Sequence, residues 1–273
     1  MGRTRARPWK EAALLLLASA CGALVPVSAA TANGRAPTTV SSKFGFSIGH
    51  FECYTVRPKR TFTPTSFAVL HDQFGDSHVQ ATAPQQLCNP AAKSVGGIVS
   101  ARVNPNAHLF CYATRVDRHL AKPIVRVVNQ FAPKGVRLVV VEPQISICLP
   151  SGKSTILNQA APVAKGLDTY QCYKVLPLDH TTPYVKVKLK DQFDIAVVSI
   201  AAPYALCAPV NRSKVLAPID SSDHLLCYRF TSYGPPFKQW PVFITNKLAT
   251  LFPYLAVAPA SVCAPSSKRV ISQ

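Results

Sequence analysis

The sequence predicts an all-β protein that consists of two tandem, disulfide-stapled domains, each a β-sandwich or a closed barrel built from a pair of three-strand repeats. Three observations predict this fold class. One cysteine-containing motif recurs four times, apolar and charged residues alternate with period two inside the copies, and 24 prolines accompany few helix-period runs. Each repeat spans about 35–40 residues, too few to bury a sheet face alone, so two copies are expected to face each other.

The first element is an export signal over residues 1–30. A cationic start is followed by an apolar run at 12–20 and by small residues at 27–32, where a signal peptidase can cut. A flexible N-terminal segment is expected at 31–43. The protein is therefore expected outside the cytoplasm, in the periplasm or the extracellular space. Anchoring as a lipoprotein through Cys21 is the weaker alternative.

Four copies of one motif follow. Each copy opens with Cys-Tyr, continues with Asp/Asn-Gln-Phe or a decayed version of it, and closes with Cys-x-Pro. The opening and closing cysteines are 35 to 37 positions apart, and the Asp or Asn follows the opening cysteine by 18 or 19 positions. Spacings this regular indicate an internal repeat. From copy one to copy four, the cysteines are Cys53 and Cys88, Cys111 and Cys148, Cys172 and Cys207, and Cys227 and Cys263.

These eight cysteines predict a disulfide framework, because they are an even number in a chain expected to be exported. Two connectivities fit. One closes each copy on itself. The other bonds Cys88 to Cys111 and Cys53 to Cys148, with the same nesting in the second domain. A plain up-down-up meander places the two cysteines of one copy at opposite ends and favours the second, whereas the constant spacing suits either. Metal ligation is not expected, because no Cys-x-x-Cys pair occurs.

The copies fall into pairs. Copies one and three carry Asp-Gln-Phe, whereas copies two and four carry Asn at that position and open with His-Leu-x-Cys-Tyr. The pair is therefore the expected structural unit. This organisation predicts domain 1 at 44–152, a linker at 153–167, domain 2 at 168–266 and a C-terminal tail at 267–273.

Strand patterns dominate inside the copies. Residues 185–190 alternate apolar and lysine side chains, so the apolar ones are expected to be buried and the lysines to meet water. In copy two, the apolar runs 124–128 and 136–141 flank Pro133-Lys134-Gly135, which predicts a hairpin. Copy one carries a similar pattern from 67–70 onward. Each copy is therefore expected to be a three-strand meander.

The recurrent motif residues have structural interpretations. Asp and Asn side chains accept backbone N–H groups two residues on, so Asp/Asn-Gln-Phe is expected to begin a turn while its phenylalanine enters the core. The tyrosine after each opening cysteine is also expected in the core, with sugar or base stacking as the alternative. Calcium ligation is disfavoured, since two carboxylates fall short of the six or more oxygens that calcium takes. The motif residues are Tyr54, Asp72, Phe74, Tyr112, Asn129, Phe131, Tyr173, Asp191, Phe193 and Tyr228.

No residue is assigned a catalytic, cofactor-binding or metal-ligating role. His50, His108 and His224, each three positions before an opening cysteine, are expected to be packed structural residues. No Gly-x-Ser-x-Gly elbow, P-loop or dinucleotide-binding motif occurs. Repetition also disfavours catalysis, because an active site is usually singular.

The functional expectation depends on the net charge of the chain. Outside the export signal there are 26 basic and 11 acidic residues, a net charge of +15. Because such a protein is attracted to anionic surfaces, we expect a non-enzymatic binding or surface protein whose partner is an anionic polymer or a cell-surface glycan. No specific nucleic acid partner and no transmembrane helix are expected, and the oligomeric state does not follow from the sequence. The alternatives are an exported enzyme that acts on glycans and a structural module of a cell-surface assembly.

The motifs resemble those of a family of exported bacterial repeat proteins, a domain of unknown function. Its copies are similar to Cys172-Tyr173-Lys174-Val175, Asp72-Gln73-Phe74-Gly75 and Leu87-Cys88-Asn89-Pro90. The resemblance covers about 44–266 and implies export and a repeated β architecture, but no activity. Asn246-Lys247-Leu248 departs from the pattern, so copy four is expected to be a decayed terminal cap.

Overall fold

The computed structural model of the protein confirms the all-β class. The residues that it describes form fourteen strands and no helix. The predicted export signal and the segment after it lie outside these residues. The described ranges are 46–117, 122–141, 144–179, 185–211 and 217–272.

Each copy contributes an opening strand with Cys-Tyr, a hairpin and a closing strand with Cys-x-Pro. In copies one, three and four the second hairpin strand continues into the closing strand, whereas in copy two the two are separate. The strands are β1 (His50–Pro58), β2 (Ala68–Asp72), β3 (Gly75–Val95), β4 (Ile98–Ser100), β5 (His108–Val116), β6 (Ile124–Val128), β7 (Val136–Val140), β8 (Ser146–Ser154), β9 (Tyr170–Pro177), β10 (Lys186–Lys190), β11 (Ile195–Pro209), β12 (His224–Tyr233), β13 (Trp240–Asn246) and β14 (Ala249–Ser272).

The alternating pattern of the hairpins explains which face of each strand is buried. In β10, Val187 and Leu189 point inward and are 1% and 0% exposed, while the lysines between them face solvent. In β6, Val125 and Val127 are fully buried on either side of the exposed Arg126. Successive side chains of a strand point to opposite faces, so the residues that are buried on one face determine which residues face solvent on the other.

The opening and closing strands of all four copies form one closed ring. Antiparallel pairs follow one another in the cyclic order β1, β3, β5, β8, β9, β11, β12, β14 and back to β1. Within a copy the opening strand pairs with the closing strand, which then pairs with the opening strand of the next copy. The ring is completed between copies four and one, where Cys263 lies opposite Phe51.

Two separate domains are not confirmed by this topology. Strands of the two predicted halves pair at several places, namely β3 with β10, β7 with β9, β8 with β9 and β13, and β14 with β1 and β6. The described residues belong to one compact unit, Pro37–Gln273. The predicted linker at 153–167 begins inside β8, and the predicted tail is part of β14 as far as Ser272, because its backbone pairs with β6.

The disulfides close each copy on itself, so the nested connectivity is wrong. The bonds join Cys53 to Cys88 and Cys111 to Cys148, and the other two copies follow the same rule. The two cysteines of a copy are directly opposite each other on paired strands. The meander argument failed because the hairpin folds away from the ring and returns the closing strand to the side of the opening strand.

All eight cysteines lie in one buried cluster inside the ring, together with apolar residues such as Phe51, Leu109 and Leu225. Sulfur atoms of neighbouring disulfides approach within 3.7–4.0 Å. Two further cores pack the hairpins on the outside of this cluster. The disulfides therefore occupy positions that aliphatic side chains fill in most small β proteins.

Candidate functional site

The structure places the Asp or Asn of every copy in a tight turn. In each copy its side-chain oxygen accepts the backbone N–H two residues later, at 2.7–2.8 Å. This bond satisfies an amide that the hairpin leaves unpaired and holds the turn in one conformation. The four pairs are Asp72 with Phe74, Asn129 with Phe131, Asp191 with Phe193, and Asn246 with Leu248.

The same turns contact tyrosines of another copy. Copies one and three contact each other in this way, and so do copies two and four. The phenylalanine rings of copies one to three meet these tyrosines edge-on, with centroids 4.8–5.3 Å apart, in the pairs Phe74–Tyr173, Phe131–Tyr228 and Phe193–Tyr54. Polar bonds accompany them: the hydroxyl of Tyr173 donates to Asp72, Asn129 Nδ2 donates to the hydroxyl of Tyr228 at 3.0 Å, and Asn246 Nδ2 donates to that of Tyr112 at 3.1 Å. The motif residues therefore hold the copies together, and the four tyrosine rings, at most 4% exposed, are not accessible for stacking on a sugar or a base.

A lysine five positions after the closing cysteine covers each of the three phenylalanines. The Nζ atoms of Lys93, Lys153 and Lys268 lie 4.7, 4.2 and 4.0 Å from the ring centroids of Phe131, Phe193 and Phe74. Cation–π contacts of this length are favourable when they are shielded from water. Sequence reasoning missed these lysines, although their constant distance from Cys-x-Pro was a readable signal.

One of these lysines belongs to a buried polar network. Lys153 Nζ donates to Asn89 Oδ1 at 2.9 Å, and Asn89 Nδ2 donates to Asp191 Oδ2 at 2.7 Å. Burial lowers the pKa of Lys153 to about 7, although the charge of Asp191 opposes the shift. Burial, with the charges of Asp191 and Asp194, raises the pKa of Glu52 to about 8. Glu52 and Lys153 are 1% and 8% exposed, so the network joins three copies inside the protein rather than facing a substrate.

The three repeated histidines are also buried. His50, His108 and His224 are 4%, 3% and 1% exposed, and burial lowers their pKa values to about 3, 3 and 4. They are therefore neutral near pH 7. Among the described residues, no group of three or more His, Cys, Asp or Glu side chains is arranged to hold a metal ion.

A cleft of about 640 Å³ lies beside the turn of copy four, where the motif departs from the others. Lys165 and Lys247 are exposed at its rim, and Leu167 and Ile219 contribute apolar wall. Asp168 also lines it, but its carboxylate accepts the backbone N–H groups of Ile219 and Asp220, which ties it to the loop. Among the described lining residues, the cleft therefore offers two exposed lysines and one carboxylate that is bonded to the neighbouring loop.

Three arginines form a row across three neighbouring strands. β6 lies between β7 and β14, and Arg126 is directly opposite Arg137 on one side and Arg269 on the other. Directly opposed residues of antiparallel strands share one face, with Cα atoms about 5 Å apart. All three side chains are exposed. We call Arg126, Arg137 and Arg269 the arginine row.

The arginine row opposes folding stability. Like charges directly opposite each other on a sheet are destabilising, by roughly 0.2–1 kcal/mol per pair. One carboxylate offsets them: Asp179 Oδ1 accepts hydrogen bonds from Nε and Nη2 of Arg137 at 3.0 and 2.8 Å, and these bonds lower the pKa of Asp179. Arg126 instead donates from Nη2 to the backbone carbonyl of Lys134 at 2.6 Å. An arrangement that opposes folding yet points three guanidinium groups at solvent is suited to an anion.

The turn beside the row fixes the course of Arg126. Gly135 has a φ of +82°, and a Cβ atom there would lie 2.6 Å from Arg126 Nε. The left-handed backbone favours glycine at this position, and a larger side chain would displace Arg126 from its course across the turn. Sequence reasoning did not find the row, because its members are far apart in the chain and only the strand register brings them together.

Comparisons of the chain with protein-family models, with curated proteins and with solved structures found no match. None of the described residues belongs to a helix long and apolar enough to span a bilayer. Four disulfides are typical of a protein that matures outside the cytoplasm. The arginine row is the candidate site because of its geometry and its charge.

Proposed function

We propose that this chain is an exported, non-enzymatic binding protein that holds an anionic polymer on its cationic surface, and that the arginine row is a principal contact. The observation that carries the proposal is the register that sets Arg126 opposite both Arg137 and Arg269 on an exposed face. The register places the Cα atom of Arg126 about 5 Å from that of each neighbouring arginine, so the three guanidinium groups can offer paired donors to successive phosphate, sulfate or carboxylate groups of one chain. Export and membership of the repeat family named above belong to the same proposal.

Local charge supports this assignment. Lys134 is exposed at the turn beside the row, and one carboxylate, Asp179, is bonded to one of its arginines. A bound anion would relieve the repulsion between neighbouring arginines, so binding and folding stability should be coupled. The alternatives predicted from the sequence, a glycan-directed enzyme and a module of a surface assembly, stay predictions.

The proposal is tested by retention on heparin-agarose over a salt gradient. The triple variant R126Q/R137Q/R269Q is compared with R57Q/K59Q/R60Q, which removes three exposed cations of β1 and the loop after it and changes the net charge equally. We expect the row variant to elute at clearly lower salt than the control.

A titration with a soluble heparin fragment at several salt concentrations gives the number of contacts. Each lost contact should lower the slope of log K against log salt by about 1, so the row variant should lose about 2–3 in slope. Equal losses in the two variants would show that overall charge, and not the row, holds the polymer.

A further inference from the structure

A second exposed face, formed by β10, β11 and β12, combines cations with apolar side chains. Lys186, Lys188 and Lys190 form its first row and are exposed. Across the sheet, Lys188 is opposite Val197 and Lys190 is opposite Ile195. We propose that this face docks on the surface of a bilayer that contains anionic lipid.

The apolar side chains of the face are continuous across two strands. Ile195 and Val197 are 53% and 41% exposed on β11, and Tyr233, directly opposite Val197 on β12, is 55% exposed. Directly opposed residues lie on one face of the sheet, so these three side chains form one apolar patch. Large apolar groups that neighbour one another on a surface are unusual in the absence of a partner.

The lysines lie beside this patch and not on the opposite face. Lys186 Nζ is 5.7 Å from the centroid of the Tyr233 ring, so the cation and the aromatic side chain occupy the same region. A lysine stem can lie along apolar surface while its ammonium group reaches an anionic headgroup. Tyrosine, with an apolar ring and a polar tip, is suited to the same boundary.

The face is rigid, because its inner side belongs to a core. Val187 and Leu189 of β10 and Val198 of β11 are at most 1% exposed and pack in the same cluster. The outer side chains are therefore presented together without a folding step. Lipid fits this mixture better than a soluble polymer does, since a polymer of charged groups offers nothing to the apolar patch.

The docking is tested by sedimentation with vesicles of phosphatidylcholine, with and without phosphatidylglycerol. The wild-type protein should bind the anionic vesicles and not the neutral ones. Each lysine near an anionic surface contributes on the order of a fivefold factor, so K186Q/K188Q/K190Q should weaken partitioning by about a hundredfold. The row variant R126Q/R137Q/R269Q serves as the charge-matched control and should lose much less.

Two further variants test the apolar contact. I195T/V197T keeps β-branched side chains and should lower partitioning by on the order of tenfold while heparin binding is retained. Y233W adds a fluorophore on the face to the native Trp240. Brominated lipid should therefore quench the emission of Y233W more than that of the wild type, and a purely electrostatic contact would not cause this added quenching. Unfolding curves and the mass of the oxidised protein establish that each variant is folded.

Several outcomes would overturn the proposal. Vesicle binding unchanged in K186Q/K188Q/K190Q, or no more quenching in Y233W than in the wild type, would exclude this face. Displacement of the protein from the vesicles by a soluble glycerol phosphate polymer, with the same dependence on the three lysines and no effect of I195T/V197T, would assign the face to a polymer. Concentration-dependent dimerisation abolished by I195T/V197T would assign it to a second copy of the chain. Because heparin binding is measured on the same variants, failure here is distinguishable from failure of the arginine row.

Discussion

The substitution Glu52→Gln tests whether one buried acid governs the dependence of stability on pH. Glu52 lies on β1 and is 1% exposed, and its Oε2 atom is buried without a hydrogen-bond partner. Burial, reinforced by Asp191 and Asp194, raises its pKa from 4.5 to about 8. The folded protein therefore keeps a proton that the unfolded chain has already lost over this pH range.

The sign of the effect follows from this difference in bound protons. A raised folded-state pKa contributes stability that is fully present below pH 4.5 and is lost as the pH rises to about 8. At about 1.4 kcal/mol for each pH unit, the wild-type protein loses up to about 5 kcal/mol through this group. Glutamine cannot ionise, so the unfolding free energy of E52Q should rise relative to the wild type by that amount and level off above pH 8.

The assay is urea unfolding of the oxidised protein, followed by circular dichroism at a series of pH values that spans this window. Taking the difference between variant and wild type cancels the titration of the three buried histidines and of Lys93, Lys153 and Lys268, whose pKa values burial lowers. D179N is the matched control, because hydrogen bonds from Arg137 lower the pKa of this partly exposed carboxyl. Its loss of stability should appear as the pH rises through the acid range, with the opposite sign. A pH-independent difference for E52Q would refute the reasoning.

Four other variants address the turn, the motif and the disulfides. Gly135→Ala should lower the unfolding free energy by about 1–2 kcal/mol and reduce heparin retention, because it strains the backbone and displaces Arg126. Gly166→Ala is its control: Gly166 has a φ of +80° and open space around it, so this substitution should lower stability without changing heparin retention. Tyr173→Phe removes the hydrogen bond to Asp72 and should lower the unfolding free energy, measured in urea, by about 2 kcal/mol. An unchanged unfolding free energy would show that this hydroxyl does not contribute to stability. C111A/C148A should lower it by about 4 kcal/mol, since the bond closes a separation of 37 residues. Peptide mapping that found Cys88 bonded to Cys111 would contradict the pairing on which that value depends.

The strand pattern and the turns could be predicted from the sequence. Alternation at 185–190 predicted which residues of β10 are buried, because a strand has only two faces. The Asp and Asn side chains of the motif accept the backbone N–H two residues later, as local turn chemistry predicts. Both features depend on neighbours in the chain and need no knowledge of the rest of the fold.

The contacts between copies could not be predicted from the sequence. The nested disulfides were preferred for a flat meander, but the hairpin leaves the ring and the closing strand returns beside the opening one. The lysines over Phe74, Phe131 and Phe193 come from other copies, so their constant spacing from Cys-x-Pro marks them as recurrent but does not show which ring each one covers. The same holds for Tyr173 and Asp72, which are 101 positions apart.

The chain encodes its all-β class and its strands through features that act over a few residues: period-two alternation, Asx turns and prolines. The regular cysteine spacing adds which residues can bond, but not which of two pairings they choose. Only the tertiary structure decided that four copies close one ring, that Cys53 bonds Cys88, and that three distant arginines lie side by side. The physical reason is that strand register is set by long-range pairing and by the shared core, whose energies depend on where every copy sits.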